Sequence, residues 1–396
     1  MDEERSAGPG PRRQSELFTD RSTAEAAGPE IPVAFEDLEA AALDALSPAA
    51  ADYVAGGAGG EDTVDRNREA FRDYELLPRI LRDVSDRTLS TTVCGTELDH
   101  PVMLAPIGVQ SVIHEDGERA VARAASELGL GMVLSSVSST TMEEVSDELG
   151  DTPGWFQLYW GADRDITESF VDRATAAGYE ALVVTLDTPL LAWRERDMQR
   201  GYLPFLDREG VENYFSDPAF RSRIDGDIAA NEPDAVEEFL AVFSNPTISW
   251  SDFEWLCGYS DLPVLPKGVL HPADAERAIE AGAAGVIVSN HGGRQLDGAV
   301  AALDQLPAVA DAVGDDADIL FDSGIRRGAD ALKALALGAD AVLLGRPYVY
   351  GLALSGADGV RSVCTNFLAD LDLSLGLVGQ TAVDDVDESV LADHNA

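Results

Sequence analysis

The sequence predicts an α/β fold closed as a (β/α)8 TIM barrel, preceded by N-terminal helices and interrupted by a long insertion after the fourth strand. Three observations carry this prediction. Beyond Asp73 one theme recurs eight times: a short β-rich run, a loop, then in most cases an Ala/Glu/Leu helical pattern. Such alternation gives parallel strands with crossover helices, and eight units close a barrel. Residues 101–346 cover about the 250 residues that a barrel needs. One interval, Thr188 to Leu262, is far longer than an ordinary strand-to-helix loop.

In chain order, residues 1–30 are rich in Gly, Pro, Ser and charge and are expected to form a flexible arm, leaving 31–396 as a single barrel domain. From Phe35 to Ala51 the pattern is helical, interrupted at Ser47-Pro48, where proline suits a first helical turn. Tyr53 follows just before the Gly56-Gly57 turn, a position open to ligand contact or to plain packing. The expected strands are Val102 to Ala105, Met132 to Ser135, Phe156 to Tyr159, Ala181 to Thr185, Val264 to Pro266, Val286 to Ser289, Ile319 to Phe321 and Ala341 to Leu344. The 188–262 interval contains Gly201-Tyr202-Leu203-Pro204-Phe205 and the aromatics Tyr214, Phe215 and Phe220, so it reads as an ordered insertion serving as an active-site lid. Trp250 to Gly258 is expected to resume the outer helices.

Bulk composition removes several function classes. A formal charge of −44, from 72 acidic and 28 basic residues, excludes a nucleic-acid or anionic-membrane partner, because phosphate contacts need basic patches. The acids are spread along a chain that is 45% hydrophobic, so this is no disordered acidic tail. Lys267 and Lys333 are the only lysines. An acid-rich, lysine-poor surface suits a halophile's cytoplasm, where the Debye length falls to about 3 Å at 1 M salt. Cys94, Cys257 and Cys364 are odd in number and lack metal-ligand spacing, which points to a reduced compartment and no metal. No apolar run reaches the length of a membrane span. Polar residues follow Arg12-Arg13 where an export signal would be apolar, so the expected location is cytoplasmic.

Barrel active sites lie where the strands end, and here those ends carry chemistry. The sixth unit, GVIVSNHGGRQLD from Gly285 to Asp297, sets His291, a base near neutrality, three residues before Arg294, a planar cation able to grip a carboxylate. A base beside an anion clamp suits proton abstraction next to a carboxylate. Elsewhere on the rim the first strand ends Ala105-Pro106-Ile107-Gly108, and the second ends at Ser135. Gln157 to Tyr159, Thr185 to Asp187 and Lys267 close the next three. Lys267, kept in a chain that has nearly abandoned lysine, implies a compact charge beside a developing anion, with a chance surface lysine as the alternative. Asp187 is placed to orient His291. Asp322-Ser323-Gly324-Ile325-Arg326-Arg327-Gly328 and Gly345-Arg346 follow strands seven and eight, the usual phosphate site of such barrels; a helix cap would explain the glycines but not both arginines.

The segments APIGVQ, LSS, QLY, TLDTP, PKGVLH, SNHGGRQLD, DSGIRRG and GRPYVYG resemble the FMN-dependent L-2-hydroxy-acid oxidising family, from about Ile31 to the C-terminal helices. The resemblance implies FMN as cofactor, His291 as catalytic base and Asp187 as its partner. It implies Arg194 and Arg294 on the substrate carboxylate, Tyr53 and Tyr159 on carboxylate or hydroxyl, and Lys267 at the reduced flavin. It further implies Ala105, Ser135, Gln157 and Thr185 lining the isoalloxazine, and Gly324, Arg326, Gly345 and Arg346 holding the phosphate. Pro106, Ile107, Gly108, Ser289 and Asp322 complete the implied cofactor site. Gly108 and the insertion with LPFL and NYFSDPAFR resemble the lactate 2-monooxygenase branch. The expected reaction is then L-lactate with oxygen giving acetate, carbon dioxide and water. A lactate oxidase or dehydrogenase releasing pyruvate, to oxygen or an electron carrier, is the alternative. A non-catalytic phosphate- or flavin-binding barrel is the alternative from another class. Similar proteins are usually tetramers, and Trp193, where the oxidases have a polar or small residue, leaves substrate size open.

Overall fold

The computed structural model describes residues 8–19, 31–314 and 316–392. The eight apolar runs become eight parallel strands: β1 Val102–Leu104, β2 Gly131–Ser135, β3 Gly154–Tyr159, β4 Ala181–Thr185, β5 Val264–Val269, β6 Gly285–Val288, β7 Asp318–Phe321 and β8 Ala341–Leu344. β8 pairs with β1 at Val342↔Val102 and closes the barrel. Side chains alternate across the strands, so two cores form. Met103, Val133, Trp155, Val183, Leu265 and Leu320 belong to the interior cluster, while Leu104, Met132, Leu134, Val184 and Val286 pack outward beneath the helices.

A hairpin of Thr91–Val93 and Thr96–Leu98 contributes Val93 and Leu98 to the interior cluster. Trp155 Nε1 donates to Thr96 Oγ1 at 3.0 Å. One end of the barrel is therefore plugged, and ligand access is left to the end where the strands finish.

Part of the expected N-terminal arm is instead a docked helix, α1 (Pro9–Thr19). Its polar composition hides this, because tertiary contacts hold it. Gly10 N donates to Asp372 Oδ2 at 3.0 Å and Arg13 Nε to Asn366 Oδ1 at 2.7 Å. Any side chain at position 10 would meet Ala369 O and Leu373. The rest of that expectation, residues 1–7 and 20–30, lies outside the described residues. Next come α2 (Phe35–Ala45), α3 (Pro48–Ala55) and α4 (Asp62–Asp73). At α3 Ser47 Oγ accepts from Ala50 N at 3.2 Å and Pro48 takes the first turn, as its sequence predicts.

The insertion is ordered and has its own aromatic core. Tyr214, Phe215, Phe220 and Phe239 are buried. Tyr214 sits 4.8 Å from Phe239 and 4.8 Å from Phe170 of the barrel layer, ring centre to ring centre, in edge contacts. Trp250–Tyr259 resumes the outer helices at the expected place. Among the described residues no helix is long and apolar enough to cross a membrane, and no group of three or more His, Cys, Asp or Glu is placed to hold a metal.

Candidate active site

The strand ends surround a cavity with about 1400 Å³ free of protein atoms, its open mouth included. His291 lines it from the loop after β6, in a turn where its own φ is +59° and Gly292 follows at +64°. Its Nδ1 lies 3.0 Å from Asp187 Oδ1 in the loop after β4, which leaves Nε2 as the ring nitrogen available to a ligand. Gly268 makes this approach possible: a Cβ there would stand 2.6 Å from the Asp187 side chain. Burial pushes the His291 pKa below its ordinary value; Asp187 opposes that shift, while Lys267 and Arg194 add to it. At neutral pH the imidazole is therefore uncharged, the form a base needs.

The cavity around this base is strongly cationic. Arg294 stacks 5.1 Å over the Tyr53 ring and donates to the carbonyls of Tyr53 at 2.6 Å and Gly56 at 2.7 Å. Arg194 donates to Arg294 O at 3.2 Å and to Gln295 Oε1 at 3.2 Å. Burial first, and then Arg194, pull the Arg294 pKa down. Its hydrogen bonds go to neutral carbonyls, so the two guanidiniums carry charge that a bound carboxylate would satisfy. Tyr159 completes this wall, with burial as the main cause of its raised pKa.

On another wall Lys267 Nζ lies 2.9 Å from Asp322 Oδ2 and 2.9 Å from Ser289 Oγ. Burial pushes the Asp322 carboxyl up, but Lys267 and the Ser289 and Ser323 hydroxyls together bring it below the usual range. The Asp322 side chain thus holds Lys267 rather than reaching toward a ligand itself.

Beyond β7 and β8 the backbone forms an anion cradle. Gly324 has φ +99°, and a Cβ there would stand 2.5 Å from Asn67 O. The helices Gly328–Ala336 and Arg346–Val378 begin at these loops. Among the described residues the N–H groups of Gly324, Ile325, Gly345 and Arg346 have no backbone partner. Arg326 stacks 5.0 Å over Phe35 and makes no salt bridge among the described residues. Arg346 donates to the carbonyls of Val54, Gly56 and Gly292, again neutral groups. Burial lowers both pKa values, and among the described residues neither cation has a salt-bridge partner.

Of the residues singled out from sequence, Tyr53, Ala105, Pro106, Ile107, Gly108, Tyr159, Arg194, Lys267, His291, Arg294, Asp322, Gly324, Arg326, Gly345 and Arg346 line this one cavity. Asp187 stands behind His291 and Ser289 behind Lys267. Ser135, Gln157 and Thr185 are buried beside it, joined by bonds of 2.9 Å from Ser135 Oγ to Gln157 Oε1 and 2.9 Å from Gln157 Nε2 to Thr185 Oγ1. Gly108 has a packing reason for lacking a side chain, since a Cβ would meet Val137 O at 2.6 Å. Trp193 is 69% exposed and lies outside the residues that line the cavity. Sequence reasoning missed Gln295, Ser323, Asp197, Phe205 and Phe243, all lining residues. Of these Gln295, Ser323 and Phe205 each lie inside a segment already marked, which is a signal that could have found them; Asp197 and Phe243 had none.

The family described as FMN-dependent dehydrogenase matches residues 42–393. An L-lactate oxidase of Lysinibacillus sphaericus is 42% identical over 353 residues, 89% of this chain and 91% of that protein. An FMN-dependent alpha-hydroxy acid dehydrogenase of Penicillium citrinum is 43% identical over 351 residues, 88% of this chain and 87% of that protein. Among solved structures, a mandelate oxidase crystallised with (S)-4-hydroxymandelic acid superposes with a TM-score of 0.81 at 38% identity, covering 91% of this chain and 98% of that one.

Proposed function

Because the chain belongs to the FMN-dependent dehydrogenase family and is an FMN-dependent oxidoreductase of 2-hydroxy acids, we propose that its substrate is L-lactate, oxidised with oxygen to acetate, carbon dioxide and water. The residues present fit the cofactor. The cationic cradle of Gly324, Arg326, Gly345 and Arg346 suits a phosphate, the Ala105 to Gly108 wall suits a flat ring, and Lys267 suits the negative charge of a reduced flavin. FMN, when bound, accepts the substrate's two electrons and passes them to oxygen.

The observation that carries the reading is the joint placement of His291 and the guanidiniums of Arg194 and Arg294 on one cavity. The arginines take the carboxylate and set the α-carbon before the base, with Tyr53 and Tyr159 bonding to carboxylate or hydroxyl. His291 takes a proton through Nε2. Asp187 holds Nδ1–H and stabilises the imidazolium that results. Phe205, Phe243 and Leu203 of the insertion wall the same cavity, which supports retention of pyruvate until the hydrogen peroxide made from oxygen oxidises it to acetate, carbon dioxide and water. A second reading, release of pyruvate with hydrogen peroxide, is favoured by the L-lactate oxidase at 42% identity. Aerobic turnover of L-lactate with acetate, pyruvate and peroxide counted together separates them: acetate equal to lactate consumed supports the first, and pyruvate equal to peroxide the second. A homotetrameric assembly, a cytoplasmic location and a halophilic origin belong to the same proposal, the last resting on the −44 charge.

A further inference from the structure

Ser323 holds a backbone conformation that side chains rarely adopt, with φ +87°. Its hydroxyl accounts for the position. Ser323 Oγ accepts from Asn290 N at 3.2 Å and Gly292 N at 3.0 Å, and donates to Asp322 Oδ1 at 2.7 Å. Ser289 Oγ mirrors it, accepting from His291 N at 3.0 Å and Lys267 Nζ at 2.9 Å while donating to the same Asp322 oxygen at 2.6 Å. Three consecutive N–H groups, flanking and including His291, thus end on two hydroxyls.

The direction of every bond is fixed. Backbone N–H groups and an ammonium only donate, so each hydroxyl uses both lone pairs as acceptors and has one hydrogen left. Both hydrogens go to Asp322, whose other oxygen takes Lys267 at 2.9 Å. Only an ionised carboxylate receives all three, so this one carboxylate organises the turn bearing the base and the lysine on the neighbouring wall.

We propose that Ser323 is a positioning residue that couples the His291 turn to the Lys267–Asp322 pair, and that its unfavourable backbone conformation is kept for the sake of the hydroxyl. The inference rests on His291 being the base. Two variants of the flavin-loaded enzyme test it. Ser323→Gly removes the hydroxyl but suits positive φ, whereas Ser323→Ala removes the hydroxyl and keeps the strain. The expected result is a 10- to 100-fold slower flavin bleaching by L-lactate under anaerobic conditions in both variants, with KM changed less than about threefold and a larger isotope effect with α-deuterated lactate. FMN affinity and Tm of Ser323→Gly are expected to equal or exceed those of the parent. A Ser323→Gly enzyme that bleaches at the parent's rate overturns the inference. So does slow bleaching accompanied by a matching loss of FMN or of Tm, which marks a merely structural role. If the parent itself is not bleached by lactate, the functional reading fails instead.

Discussion

At the scale of single residues the pairing of His291 with Asp187 sets the chemistry of the site. His291→Gln is expected to lower kcat by about 10²- to 10⁴-fold with folding and flavin content intact, the range that general-base catalysis contributes; steady-state kinetics and the visible spectrum check this. For Asp187→Asn the sign follows from the titration. Burial holds the His291 pKa below its ordinary value and Asp187 opposes that, so losing the carboxylate lowers the pKa further. The acid limb of the kcat profile should move to lower pH, while the plateau falls about 100-fold because the imidazolium loses its partner. Gly268→Ala should mimic part of that defect, its Cβ displacing Asp187. Asp187 and Lys267 are legible in the sequence because strand ends converge by construction. The motif points to Gln295 but not to its role, because its bonds to the Asp187 carbonyl at 3.0 Å and to Arg194 at 3.2 Å exist only after distant loops meet.

At the scale of elements, the strands are readable because each is a short run buried at all or all but one of its positions, and β5 shows the limit. It continues through Lys267 to Val269, with its register shifted at the Gly268 irregularity. The α1 helix escaped reading for the opposite reason: its stability lies in Asp372, buried on the C-terminal helix and paired with Arg87 at 2.7 Å. Asp372→Asn leaves Arg87 uncompensated and should cost about 3–5 kcal/mol of stability without changing kcat; thermal denaturation and kinetics on one preparation decide. The insertion makes the reverse prediction. Phe205 packs 5.1 Å from Phe239 and lines the cavity. Phe205→Leu should lower Tm modestly, since the ring is buried against Phe239 and Phe243, and loosen the wall, so that in the proposed reaction products shift from acetate toward pyruvate and peroxide.

At the scale of the whole molecule the charge of −44 is the dominant fact. Its surface ion pairs are mostly exposed, such as Arg361 with Glu127 and Arg119 with Glu144, and contribute little against so large an excess of like charge. Tm should therefore rise markedly from low-salt buffer to multimolar KCl, and an unchanged Tm would sink the halophilic reading. The barrel's role is to carry residues from distant stretches of chain to one rim, where a neutral imidazole shares a cavity with two arginines and a lysine. The most direct test is anaerobic mixing of the flavin-loaded protein with L-lactate, with D-lactate as control, followed by absorbance. Stoichiometric bleaching by the L-enantiomer alone is expected, and none on that timescale in His291→Gln. Equal bleaching in the His291→Gln protein would contradict it.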